Sequence, residues 1–502
     1  KQKERKKSTH VKIGTMENER LLPKIEGLKK VDKENLIDLE NELDLTKRYI
    51  YVPSTLGAPR DIAQTSPYFQ GQEKIVQLGL SERGIEVYNI DPNKSSFDPL
   101  LKKRPSLDET PVLTIPGRYI HIGCKKNLFN QCSSPIYGAG KDLTLGWKSK
   151  RFFIPNYEGL RIHEKNLLEL QHLKKDGCWN QGNNPRYISH TFRKGVINIQ
   201  LEKNIKINNL SSNCLNSYWT TRMRHFSFNV RHFYALVSLD NFLPKNKALK
   251  YQPVLYPAFD RKVFGFFHTN LEKLNPEGEF KRKVTKSLLS RWNPNRKKNK
   301  IYYFLTNTFI EEEKEIKDKS SNLGKKNIPS LREVTEEAID SLNKGLKIAK
   351  APFVLHICKP KIKSSKGTSI TFFEDKECQE KAFGKIGAEG ALPGDIRYNT
   401  IALIRPSLGN GLLGYGPNVV HPETGEILHA HVNMYEGNLK RQTRSIWTQI
   451  SSSENRSWLK RKNQLIKGKS EINDESLSLN QNDRSNATTG DDLFNLNEDS
   501  NI

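Results

Sequence analysis

Residues 414–437 read GYGPNVVHPETGEILHAHVNMYEG. NVV and EILHAHVNMY are strand-like runs, and Pro422 to Gly425 between them are turn residues, so the stretch reads as an antiparallel hairpin. Side chains alternate along a strand. That alternation sends Leu428, Ala430, Val432 and Met434 toward a core, and His429, His431 and Asn433 toward the opposite, exposed or cleft-facing side. Two imidazoles on one side hold zinc only with a further ligand, and His421 is the nearest histidine in sequence. Polar strand positions and substrate contact are the other readings of the same pair.

Working outward, FVLHI (353–357) and DIRYNTIALI (395–404) are strand candidates, as is IYYFL (301–305). Between them lies a marked helix. Ser330 caps its free amides while Glu333 returns a hydrogen bond, the reciprocal S-x-x-E box. Val334, Ala338, Leu342 and Leu346 follow at intervals of four, with Ile339 and Ala349 widening a stripe expected to lie against a sheet. Strand, helix and strand together make an α/β layer. The literal G-x-G-x-x-G at 409–414 leads to Pro417 and a hairpin instead of a helix, so it reads as a glycine-rich strand connection and not a nucleotide site.

Upstream the pattern is different. YIYVPS, KIVQLGL, GIEVYNI, PVLTI and RYIHIG are short strand-like runs broken by Gly, Pro and Asn, and GVINIQLEKNIKI, HFSFNVRHFYALVSL and KVFGFFHT continue them. Basic and aromatic residues interleave at Arg224, His225, Phe226, Phe228, Arg231, His232, Phe233 and Tyr234. That mixture suits single-stranded nucleic acid, but also an ordinary amphipathic strand, and with no RNP, zinc-finger or helix-turn-helix signature nucleic acid is disfavoured as a partner.

The 502 residues carry 82 Lys and Arg against 56 Asp and Glu, a net charge of +26 that favours association with anions. No run of 18 apolar residues occurs, so no membrane-spanning helix is expected. Six cysteines fall in three local groups, Cys124 with Cys132, Cys178 with Cys214, and Cys358 with Cys378. The grouping permits three local disulfides and points to an exported, oxidising location; six reduced thiols are the alternative. The start, KQKERKKSTH, suits a processed terminus or a fragment boundary. His163 and Glu164 open HEKNL, but Leu167 stands where a zinc helix needs its second histidine, and no HExxH, GxSxG or local Cys-His motif occurs anywhere.

Several segments together resemble the bacterial metzincin-like zinc metallopeptidases that carry a β-rich N-terminal domain of unknown function. The likeness spans roughly residues 48–450. YVPSTLGAPRDIAQTSPYFQGQEKIVQLGLSERGIEVY (51–88) resembles the family's opening strands, and LYPAFDRKVFGFFHT (255–269) the segment that closes the β-rich part. IYYFLTNTF and LREVTEEAIDSLNKGL resemble the first strand and long helix of the peptidase unit. GDIRYNTIALI with LLGYGPNVVHPETGEILHAHVNMYEG is similar to the strand, glycine turn and hairpin upstream of the catalytic helix, with His421 and Glu423 where the family commonly has Asp and Arg.

The resemblance implies an α+β fold: a β-rich N-terminal region, then a metzincin-like mixed-sheet subdomain with a long backing helix. The expected divisions are a charged segment (1–47), a β-rich domain (48–270), a basic connector (271–295), a partial α/β subdomain (296–450) and a polar tail (451–502). It further implies an edge strand that aligns a peptide substrate by β-augmentation, with Glu426, Ile427, Leu428, His429, Ala430, His431, Val432, Asn433 and Met434 as the substrate-binding residues. The family's HExxHxxGxxH helix and methionine turn have no counterpart here, so no catalytic residue, metal ligand or cofactor is assigned to this chain; zinc is expected only of a complete related enzyme. The expected partners are a peptide or protein substrate, or a missing C-terminal peptidase portion, and the expected location is periplasmic, cell-envelope-associated or secreted. The function implied is the non-catalytic N-terminal portion of a zinc endopeptidase. The alternatives are a binding or assembly protein on the same scaffold, and a different hydrolase or a peptide- or glycan-binding role.

Overall fold

A computed structural model describes residues 35–57, 70–90, 111–126, 132–137, 146–163, 179–181, 185–207, 227–244, 246, 250–274, 283–295, 299–323, 329–365, 368–381, 390–405 and 412–451. The chain divides into two compact units, 1–439 and 440–502. In the second, only residues 440–451 are among those described, and they are helical.

Short apolar runs build an antiparallel, curled sheet in the N-terminal half. Its first strands are β1 (Ile37–Asp38), β2 (Arg48–Gly57), β3 (Lys74–Ser81), β4 (Gly84–Asn89) and β5 (Leu113–Ile120). β6 (Ile122–Lys126) and β7 (Cys132–Tyr137) form a separate hairpin. β8 (Phe152–Pro155), β9 (Arg161–Ile162), β10 (Trp179–Gln181), β11 (Arg186–Arg193), β12 (Val196–Ile207) and β13 (Ser227–Ser238) complete the sheet. The order is β1-β8-β5-β4-β3-β2-β13-β12-β10, with β9 beside β5 and β11 beside β12.

β2 and β13 are covered on both faces. Tyr49, Tyr51, Tyr234 and Leu236 point into the curled core with Val76, Ile85 and Ile199. Ile50, Val52, Phe233, Ala235 and Val237 point the other way and pack with Ile396, Val419 and Leu428 of the C-terminal sheet. Each such side chain removed from water contributes about 1.5–3 kcal/mol.

Three expectations change here. The charged segment is not separate over residues 35–47: Leu36 and Ile37 are buried, Ile37 pairs with Phe153, and a short helix α1 (Leu39–Glu42) follows. KVFGFFHT is a strand only at its end, where His268 and Thr269 begin the strand His268–Leu274. Its first part lies in helix α2 (Ala258–Phe264), which Gly265 ends in the left-handed conformation at φ 62°, the position where glycine is least strained. The basic connector is paired backbone as well: β14 (His268–Leu274) and β15 (Lys283–Leu289) form a hairpin, and Arg291 bridges to Glu426. The interleaved His232, Phe233 and Tyr234 are all buried, because β13 is covered on both faces.

The second sheet joins β16 (Lys300–Leu305), β17 (Val354–Cys358), β20 (Asn399–Ile404), β21 (Gly414–Tyr415), β22 (Asn418–Val420) and β23 (Ile427–Tyr435). β18 (Pro360–Ser365) and β19 (Thr368–Phe373) form their own hairpin. The order is β17-β16-β20-β23-β21, with β22 also beside β23. Neighbours among β17, β16, β20 and β23 are parallel, whereas β21 and β22 run antiparallel to β23. Parallel neighbours need crossovers, and helices α3 (Thr308–Leu323) and α4 (Leu331–Ile348) supply the first.

The Ser330–Glu333 capping box forms with both hydrogen bonds in place, and Glu312 of α3 also accepts the Leu331 amide. The stripe that meets the sheet is not the expected one. Leu331 and Ile339 pack against Leu305, Phe309, Ile401 and Leu403, and Thr335 is buried, while Val334 and Leu342 are exposed. The helix is turned by one residue, about 100°. Asn343 gives the reason: its side chain donates to the Leu355 carbonyl and accepts the Leu355 amide, both at 2.8 Å, capping the outer edge of β17. On the sheet's other face, the Cys358–Cys378 disulfide ties β17 to α5 (Lys376–Lys381), beside Tyr302, Phe304, Phe373 and Tyr398. This is the third of the three local cysteine groups; the side chains of the other four cysteines lie outside the described residues.

Candidate functional site

The anticipated substrate strand lies within β23, and the expectation that it is an edge is corrected by its neighbours. On one side Thr400 to Ile404 of β20 pair with His431 to Tyr435. On the other side Asn418, Val419 and Val420 pair with Ala430, His429 and Ile427, and Gly414 and Tyr415 with Met434 and Asn433. Glu426 is bridged by Arg291, whose amide and carbonyl bond to Gly425 and Ile427. The backbone of Glu426, Ile427, Leu428, His429, Ala430, His431, Val432, Asn433 and Met434 is therefore flanked on both sides, leaving no edge for an added peptide strand.

The facing of these side chains is also reversed. His429, His431 and Asn433 are buried, Ala430 and Met434 half-buried, and Val432 is exposed. A bulge sets the phase: Val419 faces His429 but Val420 faces Ile427, so Leu428 is an extra residue. Ile427, Leu428 and His429 are consequently all buried, and regular alternation starts only at His429. Met434 points to the helix-bearing side, among Leu403, Ile339 and Leu331.

The two imidazoles lie together, His429 Nε2 3.4 Å from His431 Nδ1, with Tyr415 edge-on to His431. Burial pushes His429 down to about 3 despite a contact with the Tyr398 backbone, and burial together with His429 pushes His431 well below its usual range. Both rings are held neutral. Asn399 fastens the strands above them, accepting the Ala430 amide at 3.0 Å and donating to the Tyr302 carbonyl at 3.0 Å.

Two nitrogens 3.4 Å apart would suit one zinc at about 2.0–2.1 Å from each, but a structural or catalytic zinc takes at least three protein ligands. His421 does not join them. Its ring Nδ1 accepts the Glu423 amide at 3.2 Å and its carbonyl closes the 421–425 turn, while Glu423 pairs with Arg48 of β2. The metal-capable grouping that does form among the described residues is His356, Asp375 and Cys378. There Cys378 is committed to its disulfide, and His356 Nε2 is already 2.7 Å from Asp375. Neither group fits zinc. Helix α6 (Glu436–Ser451), directly after β23, contains no histidine or cysteine.

Among the described residues, the outer edge of this sheet on this side lies one strand further out. The Leu413 and Pro417 carbonyls accept from Tyr435 and His431, and Tyr415 pairs with Asn433, so the polar groups of Gly414 and Gly416 point away from β23. Leu413, Gly414 and Gly416 are exposed. From Asn418 onward the edge is closed by Gln70, whose side chain donates to the Asn418 carbonyl. The signal for this was the glycine-rich run ending in Pro417, which reads as a strand connection but not by itself as an edge; residues 409–411 of that run lie outside the described residues. His163, from the HEKNL stretch, hydrogen-bonds Thr114.

No protein-family profile, curated protein or solved structure matches the chain. Among the described residues no helix is long and apolar enough to cross a membrane.

Proposed function

We propose that this chain is the N-terminal, non-catalytic portion of a metzincin-like zinc endopeptidase, serving as scaffold and as the strand edge that aligns a peptide. One observation carries the reading: among the described residues, the helical layer on the second sheet leaves β23 uncovered at Val432. α3 and α4 cover β16, β17 and β20, yet β23 leaves Val432 exposed on that side, where a doubly covered α/β sheet would bury it. The outward face of α4 adds a groove of ≈ 570 Å³ lined by Ala338, Ser341, Leu342, Gly345, Leu346 and Ala349. A further helix supplied by the peptidase portion would cover these apolar surfaces. The peptide would add at Leu413 to Gly416, whose outward amides and carbonyls supply register. This moves the substrate edge from residues 426–434 to the neighbouring strand.

The absence of a fitting zinc set among the described residues favours, as a second reading, a binding or assembly protein on this scaffold. Producing the chain with its downstream coding sequence separates the two. The first reading expects zinc-dependent peptide cleavage by the longer protein, none by the isolated chain, and a Val432 side chain that is shielded from solvent only in the longer form. Cleavage of a broad peptide library by the isolated chain, retained through repeated purification and abolished by chelation, would overturn it. A stop codon after Ile502 would favour the second.

A further inference from the structure

We infer that the aromatic protrusion from Leu255 to Phe267 is an interfacial anchor for an anionic lipid surface. Six large apolar side chains stand exposed within thirteen residues: Leu255 (64%), Phe259 (76%), Val263 (60%), Phe264 (60%), Phe266 (58%) and Phe267 (77%). Scattered exposed apolar residues are ordinary, but a contiguous group of this kind marks an interaction surface. Phe259 and Val263 share one face of α2, and the Phe264 and Phe266 rings stack at 5.9 Å.

The protrusion is held in shape from beneath. Tyr256 is buried, its hydroxyl accepts the Phe266 amide at 2.9 Å, and its own amide bonds to Ser287 of β15. Ser290 returns a bond to the Phe267 carbonyl, and Leu255 bridges Leu288. Such fixing of both ends presents the phenyl rings to solvent at little further ordering cost on binding.

Charge selects the occupant. Residues 250–295 hold nine Lys and Arg against four Asp and Glu; Lys262 is exposed on α2 among the phenylalanines, and Lys250 and Lys286, on the flanking segments, are exposed as well. Phenylalanines that enter the acyl boundary, together with lysines that reach phosphate headgroups, make the usual chemistry of peripheral attachment to anionic bilayers. A protein-docking core is instead depleted of lysine. The inference is independent of the peptidase reading.

The test is co-sedimentation of the full chain with equimolar phosphatidylcholine–phosphatidylglycerol vesicles and with phosphatidylcholine alone, together with light scattering of the free protein. Binding is expected to the mixed vesicles, to be about tenfold weaker for Phe259→Ser/Phe267→Ser, and to weaken for Lys262→Glu. All positions are exposed, and far-UV circular dichroism verifies folding. Phe267→Trp should be quenched by brominated acyl chains. Binding that the double serine variant leaves unchanged would mean mere attraction of a +26 chain to anions and would overturn the inference. So would an absence of binding, or a dimer dissolved by the serine variant in a protein that ignores vesicles.

Discussion

β2 and β13 of the first sheet carry apolar residues on both faces and bury both, Tyr51 and Leu236 inward, Val52 and Ala235 against the second sheet. β23 of the second sheet instead buries His429, His431 and Asn433 and leaves Val432 outside. The first arrangement spends its apolar surface entirely within the described fold. The second leaves apolar surface over on its helical side while confining titratable groups on the other. A strand in that condition is stabilised by its neighbours' hydrogen bonds and by the joint to the first sheet, so perturbations of the joint, of the buried polar groups and of the exposed face should differ in size.

The largest effect is expected at the joint. Asp395 and Arg397 form a bidentate ion pair with side chains only 7% and 5% exposed, beside Ile396, which packs on β13's cluster. Asp395→Ala removes the carboxylate from a buried guanidinium and should cost about 3–5 kcal/mol in urea unfolding. Asp395→Ala/Arg397→Met should recover much of that. Equal losses for the single and double variants would show that the charge is not what matters. Gly394 offers a check by shape, because a Cβ there would lie 2.8 Å from the Phe233 ring.

Next is the disulfide. Cys358→Ser/Cys378→Ser releases a constraint across a separation of 20 residues and should lower stability by about 3 kcal/mol, with Tyr302, Phe304 and Phe373 losing protection in amide exchange. A shift confined to the first sheet would contradict the assigned place of this bond.

What could be read beforehand was local. The capping box needs only Ser330 and Glu333 three residues apart, and the Pro422–Gly425 turn needs only its own residues and a glycine, observed at φ 80°. The strands of the first sheet were legible because their short apolar runs are bounded by Gly, Pro and Asn and are buried. The faces of α4 and β23 were not. Asn343 chose the helix rotation by bonding the edge of the following strand, and the bulge at Leu428 reset the alternation of β23. In the candidate site, the two histidines were visible as a pair, but their burial and the displaced edge at Leu413–Gly416 depend on which strands flank β23, which its own residues do not encode.

The buried imidazoles give a smaller and pH-dependent effect. His429 is pushed from its ordinary 6.5 to about 3, and His431, His421 and His232 are also lowered by burial. The unfolded chain therefore takes up protons that the folded chain refuses. For His429 this stability is complete above about 6.5 and falls as the pH drops from there toward 3, by up to roughly 1.4 kcal/mol per pH unit, and the other three act in the same direction. His429→Asn should reduce the slope of unfolding free energy against pH between 6 and 5 by about one proton. An unchanged slope would mean that His429 is protonated in the folded state.

The smallest effect separates the two regions most cleanly. Val52 and Val432 are the same residue type in strands that are both flanked by neighbours, but Val52 is fully buried and Val432 is 37% exposed. Val52→Ser should cost several kcal/mol, combining lost apolar burial with a hydroxyl placed in an apolar joint. Val432→Ser should stay within about 0.5 kcal/mol in the isolated chain. In a longer protein whose added helix covers β23, the same substitution should become costly, because the valine would then leave a packed interface. A Val432→Ser penalty that is the same in both forms would show that nothing docks on this face, and the unfinished helical layer would then be a finished surface.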